Sequence, residues 1–195
     1  MASKYTESLI RTFVNQYGVS IARAIAQTNL FFPAVVAQLS VESANGTSGL
    51  SVRANNFGGI KGNQDNGILM DTTETDKHIA SRAYFRKYAN FDEFIDHYVS
   101  ILRTPRYING GVFEATSPED QIKAMVKAGY STMTPNAYLK QGVKDRIDAT
   151  RDIYKIGKIG NISSAYAALG FAPQQEANPG AAAVPNFLWD NILRL

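Results

Sequence analysis

No cysteine occurs among the 195 residues, which removes disulfide scaffolds, thiolate-bound zinc and thiol nucleophiles together. Histidine is nearly as scarce. The two present, His78 and His97, have no partner at the H-x-x-x-H or H-E-x-x-H spacing of a metal site, and His97 reads as a surface residue of a helix. No metal and no cofactor is expected. Neither Ser48 nor Ser131 stands in the G-x-S-x-G setting of a serine nucleophile. Long apolar runs are also missing. Nothing approaches the roughly 20 residues of a membrane span, and Lys4, Glu7 and Arg11 interrupt the start, so no signal-peptide h-region is read there. Charge is modest, at 19% of residues with a net charge of +3. The basic residues are scattered rather than blocked, which suits an anionic surface and gives no reason to expect a nucleic-acid partner.

What remains is 45% hydrophobic, enough for one core of ordinary size, so a single domain with a tail is expected. Leu9, Ile10, Phe13, Val14 and Tyr17 follow helical spacing until Gly18, and Ser20 suits the cap of a second helix. Pro33 opens a third, which runs past Val36, Leu39 and Val41 to a stop at Asn45-Gly46. Residues Ser48 to Asn66 read as a Gly- and Asn-rich loop. Asp71 to Thr75 and Ser81 to Lys87 read as the strands of a hairpin whose turn is Asp76 to Ala80. Asn90 with Glu93 resembles a capping box before an amphipathic helix through Leu102. Ser117-Pro118 opens another helix, and a last long one is predicted from about Asn136 to Tyr154. Beyond Lys158, Ala, Gly and Pro dominate. These signals predict a mainly α chain (α+β) with a small β-hairpin lobe, residues 1–158 forming the domain and 159–195 an arm with a short apolar end.

Glu42 is the first candidate for chemistry. It follows Gln38 and Leu39 on the third helix and so lies on or beside the inward face, in the last turn. Both the negative end of the helix dipole and partial burial disfavour its ionised form. That is what a general acid near neutral pH requires. The plainer reading is a solvated Glu, or one paired with Arg53 or Lys61. Glycosidic cleavage commonly uses a second carboxylate across the sugar; Glu74 on the hairpin is the best-placed candidate, with Asp71 and Asp76 as weaker rivals. Phe57, Tyr84, Tyr107, Tyr130 and Tyr138 stand beside loops, where rings can stack on sugar faces, although core packing is the commoner fate of each.

The runs Ala37-Gln38-Leu39-Ser40-Val41-Glu42-Ser43 and Asn55-Asn56-Phe57-Gly58-Gly59-Ile60-Lys61-Gly62 resemble the glucosaminidase family of peptidoglycan hydrolases, glycoside hydrolase family 73. The likeness continues in order through Thr72-Thr73-Glu74, Phe85-Arg86-Lys87-Tyr88, Arg106-Tyr107 and Gly129-Tyr130-Ser131-Thr132, and covers about residues 31–154. It implies a lysozyme-like helical fold and an endo-β-N-acetylglucosaminidase cutting the β-1,4 bond after N-acetylglucosamine in wall glycan. Glu42 falls on the family's acid, Glu74 on the second carboxylate, and Tyr130 on the tyrosine near the reacting sugar. Phe57, Asn55 and Asn56 fall in the substrate loop, and Tyr138 joins them as a groove aromatic.

The sequence departs from the family at Ala44-Asn45, where Gly-Trp is usual, at Phe57-Gly58-Gly59, where Leu-Phe-Gly is usual, and at Met133-Thr134-Pro135, which lacks the Asp of the usual T-D-P run. The same resemblance leaves a muramidase or lytic transglycosylase as an alternative, and a non-catalytic wall-binding module as one of another class. The expected partner is the peptidoglycan strand, met by a monomer at the wall or periplasm. A holin, a secretion machine or removal of a leader would account for its export, and the arm would serve any secretion or virion partner.

Overall fold

The computed structural model describes residues 2–26, 28–74 and 79–154, with side chains omitted for 72–81. The arm at 159–195 and the rival carboxylate Asp76 lie outside the described residues. Ser3 accepts a hydrogen bond from the Thr6 amide and opens α1, Lys4–Ile25. The predicted stop at Gly18 does not occur. Gly18 is buried within the helix, and the apolar stripe Ile10, Phe13, Val14, Ile21, Ala22 and Ile25 continues across it. One helical glycine costs about 1 kcal/mol, whereas each large apolar side chain buried beside it contributes roughly 1.5–3 kcal/mol. Packing therefore carries the helix through.

The second helix, α2 (Phe32–Glu42), is the axis of the domain. Every residue from Phe32 to Ser40 is buried, because α1 and later helices cover it on several sides. Its N-terminal cap, Phe31, makes no side-chain hydrogen bond. Instead the Phe31 amide donates to Gln121 Oε1 at 2.6 Å, and Pro33 has no amide to satisfy. After Glu42 the chain turns sharply, with Ala44, Asn45 and Gly46 all at positive φ.

A short helix, α3 (Gly49–Ala54), is capped by Ser48 and closed by Asn55 in the left-handed conformation. The hairpin consists of β1 (Gly67–Glu74) and β2 (Ile79–Arg86), antiparallel from Gly67↔Arg86 to Glu74↔Ile79. β1 begins four residues before the predicted strand. Ile68, Leu69 and Met70 form an unbroken apolar run rather than an alternating one, so periodicity does not mark them. The hairpin is tied to the loop after α3 where Gly62 N–H donates to Tyr84 O and Arg86 N–H to Ile60 O, and the segment after β2 is tied to α3 itself where Tyr88 N–H donates to Ala54 O.

In α4 (Phe91–Leu102) Asn90 accepts from the Glu93 amide, but Glu93 reaches back to the Ala89 amide at 2.7 Å, one residue before the capping-box target. α5 (Pro105–Ile108) and a 3-10 turn (Val112–Glu114) lead to α6 (Pro118–Lys127). The predicted last helix is interrupted. α7 (Pro135–Tyr138) passes into a π turn (Leu139–Val143) and only then into α8 (Lys144–Tyr154). The break falls at Gln141 and Gly142, the latter at φ 86°, a conformation glycine takes without penalty.

Candidate active site

The Glu42 carboxyl ends α2, where the unpaired helix carbonyls disfavour a negative charge. The turn beyond it is tightly tied. Ser43 Oγ donates to Leu39 O at 2.6 Å and accepts from Gly46 N–H at 2.8 Å, while the Asn45 and Ser48 amides donate to Ser40 O and Ser43 O. Beneath it stand Tyr17 and Phe57: a Cβ on Gly46 would lie 3.0 Å from the Tyr17 ring and 3.3 Å from Phe57. The end of α2, and with it Glu42, is thus held by side-chain hydrogen bonds on one side and aromatic packing on the other.

Glu42 is exposed to solvent, yet the surrounding protein displaces enough water to raise its pKa above the usual glutamate value. Tyr138 acts in the opposite sense. Its hydroxyl donates to Glu42 Oε1 at 2.5 Å, and the same burial pushes the phenol itself well above its ordinary pKa, so it stays a donor. Neither Arg53 nor Lys61 forms an ion pair with Glu42 among the described residues. Lys61 Nζ instead lies 3.8 Å from the Phe85 ring centroid.

A buried polar layer underlies the carboxyl. One turn back on α2, fully buried Gln38 accepts from Tyr98 Oη at 2.6 Å, which fixes its amide with Nε2 free to donate. Gln38 Nε2 and Tyr130 Oη are both buried without a hydrogen-bond partner, and Gln38 lies close enough to pull the raised pKa of Tyr130 partly back. The Tyr130 ring meets Tyr138 edge to face at 6.2 Å. Arg106 sets the position of Tyr130. Its guanidinium donates to Ala128 O and, at 2.9 Å, to Gly129 O, clamping the Schellman turn made by Gly129 N–H to Val126 O and Tyr130 N–H to Met125 O.

The other predicted residues take different places. Phe57 is only 3% exposed and packs against Tyr17, Phe91 and Phe94 at 4.8, 4.7 and 5.5 Å. It offers no face to a sugar; it supports the turn after Glu42. Asn55 donates to Tyr88 O and Ala89 O. Buried Asn56 donates to Ile60 O and Arg86 O and accepts from Ile60 N–H. The Asn55 and Asn56 Nδ2 groups thus tie the loop to the end of the hairpin and the segment after it. The backbone of Glu74 ends β1 opposite Ile79, and its side chain lies outside the described residues. Asp71, with its side chain 90% exposed, pairs with Arg82. His97 is not a free surface residue, since its Nδ1 shares a 2.7 Å hydrogen bond with buried Tyr88 Oη.

Sequence reasoning gave no role to Gln38, Tyr98 or Arg106. The available signal was a lone Gln within an otherwise apolar helix, four residues before a Glu. Among the described residues, no group of three or more His, Asp and Glu could hold a metal ion, and no helix is long and apolar enough to cross a membrane.

A mainly helical body carrying a small two-stranded antiparallel lobe gives the chain a lysozyme-like fold. The chain belongs to the glucosaminidase family: the family described as mannosyl-glycoprotein endo-beta-N-acetylglucosaminidase matches residues 16–155. The exo-glucosaminidase LytG of Bacillus subtilis is 34% identical over 104 residues, a match spanning 50% of this chain and 37% of that protein. The glycoside hydrolase domain of Salmonella typhimurium FlgJ superposes with a TM-score of 0.56 at 26% identity, covering 82% of this chain and 96% of that one. The catalytic domain of the autolysin Auto from Listeria monocytogenes gives 0.61 at 24% identity, over 76% and 87% of the two chains, and shows the shared fold.

Proposed function

We propose that this domain hydrolyses the β-1,4 bond that follows N-acetylglucosamine in peptidoglycan, with Glu42 as general acid. The observation that carries the reading is the Glu42 carboxyl itself, solvent-reachable, raised in pKa and hydrogen-bonded by a buried tyrosine. Protonated Glu42 gives its proton to the glycosidic oxygen as the bond from the anomeric carbon breaks toward that oxygen. Water supplies hydroxide to the anomeric carbon, and its remaining proton restores the carboxyl.

The positive charge that develops at the anomeric carbon needs an anionic or nucleophilic partner. Glu74 fills that role in the two-carboxylate scheme, and the substrate's own acetamido oxygen fills it in the substrate-assisted one. Membership of the glucosaminidase family and the likeness to LytG, named an exo-glucosaminidase, support the choice of bond. Mass spectrometry of digested sacculi tests it. Fragments ending in reducing N-acetylglucosamine are expected; reducing N-acetylmuramic acid or anhydro ends would instead establish a muramidase or a lytic transglycosylase. Sacculus binding without any released fragment would leave a wall-binding module.

A further inference from the structure

We infer that Tyr138 is a positioning residue that commits Glu42 Oε1 to accepting its hydroxyl, so that Oε2 alone carries the proton delivered to the glycosidic oxygen. This rests on Glu42 being the acid. The two Glu42 oxygens are not equivalent: Tyr138 Oη donates to Oε1 at 2.5 Å, and a carboxyl oxygen that accepts so short a bond is the poorer place for a proton. When Oε2 gives its proton to the leaving oxygen, the new negative charge is shared with Oε1, where a donor already stands. The bond therefore strengthens as the proton leaves, which favours the transition state over the ground state.

The fold devotes several features to this one hydroxyl. Tyr138 is 4% exposed and ends the short α7, whose cap Thr134 accepts from Ala137 N–H. The π turn and the left-handed Gly142 that follow let α7 and α8 take different directions. The Tyr130 ring closes the other side. Among the described residues, the titratable groups that bear on the Glu42 carboxyl are Tyr138 on α7, Tyr130 after α6 and Tyr98 on α4, all neutral at physiological pH. Gln38 beneath it on α2 is uncharged, and Arg53 on α3 is exposed and makes no ion pair with it among the described residues. Among the described residues, Tyr138 is thus the group that favours ionised Glu42, against the desolvation that opposes it.

The test is the titration of Glu42, followed by carboxyl 13C NMR in the whole protein, in wild type, Tyr138→Phe, and a protein with 3-fluorotyrosine at position 138. A hydrogen bond to a charged group is worth about one to two pH units. Tyr138→Phe should raise the Glu42 pKa by about that much and carry the alkaline limb of the activity profile with it. The stronger donor 3-fluorotyrosine should move both the other way without altering shape. A Glu42 titration unchanged in both proteins would overturn the inference, because a merely structural role would lower activity without moving the pKa. Failure of the catalytic reading looks different: Glu42 would titrate as expected while Glu42→Gln stayed active.

Discussion

Replacing Ala44 by Gly should stabilise the domain, although it removes atoms. Ala44 is exposed and adopts φ 50°, in the left-handed region where an L side chain costs roughly 1–2 kcal/mol. Glycine loses that strain but gives the unfolded chain more freedom, which opposes the gain by about 0.4–1 kcal/mol. The net expectation is a stabilisation of about 0.5–1 kcal/mol, or a rise of roughly 1–4 °C in Tm for a domain of this size. Gly46→Ala should do the reverse, since φ is 85° and the new Cβ would stand 3.0 Å from Tyr17. Thermal unfolding by circular dichroism checks both. Because Ser43 hydrogen bonds and the Tyr17 and Phe57 rings hold the end of α2, Ala44→Gly should leave the rate of wall lysis unchanged. A lower Tm for Ala44→Gly, or a gain for Gly46→Ala, would refute the strain argument.

Arg106→Gln should release the turn that carries Tyr130, which Arg106 holds through Ala128 O and Gly129 O. An activity loss of about 10- to 100-fold with little change in Tm is expected, as for a misplaced site residue; steady-state lysis of purified sacculi measures it. Glu42 also links stability to pH. Its folded pKa is raised, so its favourable contribution is complete below the ordinary glutamate value and is lost as pH rises through the raised one. Glu42→Gln should therefore exceed wild type in Tm at pH 8 by more than at pH 4; equal differences at both would count against a raised Glu42 pKa.

The helices were legible where pattern and packing agree, as in α4 and α6, whose caps Asn90 and Ser117 both accept the expected amides. The pattern misled where tertiary contacts outweighed a local signal. Gly18 carries a stop signal that burial overrides, whereas the break at Gly142 comes from a backbone conformation that periodicity does not register. Glu42 was legible as a candidate because it stands out on a largely apolar helix, and its solvent-facing place at the end of α2 agrees with that position. Phe57 was misread for a physical reason. It occupies the position of the family's usual Leu, and that position faces the core; Gly58 stands where the aromatic is usual, and a Cβ there would lie 3.7 Å from Tyr130 Oη. The Tyr138 contact joins residues 96 apart in the chain, and no local pattern reports such a pairing.

The central claim is that Glu42 delivers the proton. The most direct measurement is the initial rate of glycan cleavage by Glu42→Gln, which keeps the side-chain shape and can still accept from Tyr138, set beside its Tm and beside Glu74→Gln. Glu42→Gln should lose at least about 1,000-fold with the fold intact, in line with removal of an essential proton donor, and the size of the loss in Glu74→Gln separates the two-carboxylate scheme from substrate assistance. A folded Glu42→Gln protein that still cleaves the strand at a rate close to wild type would contradict the claim.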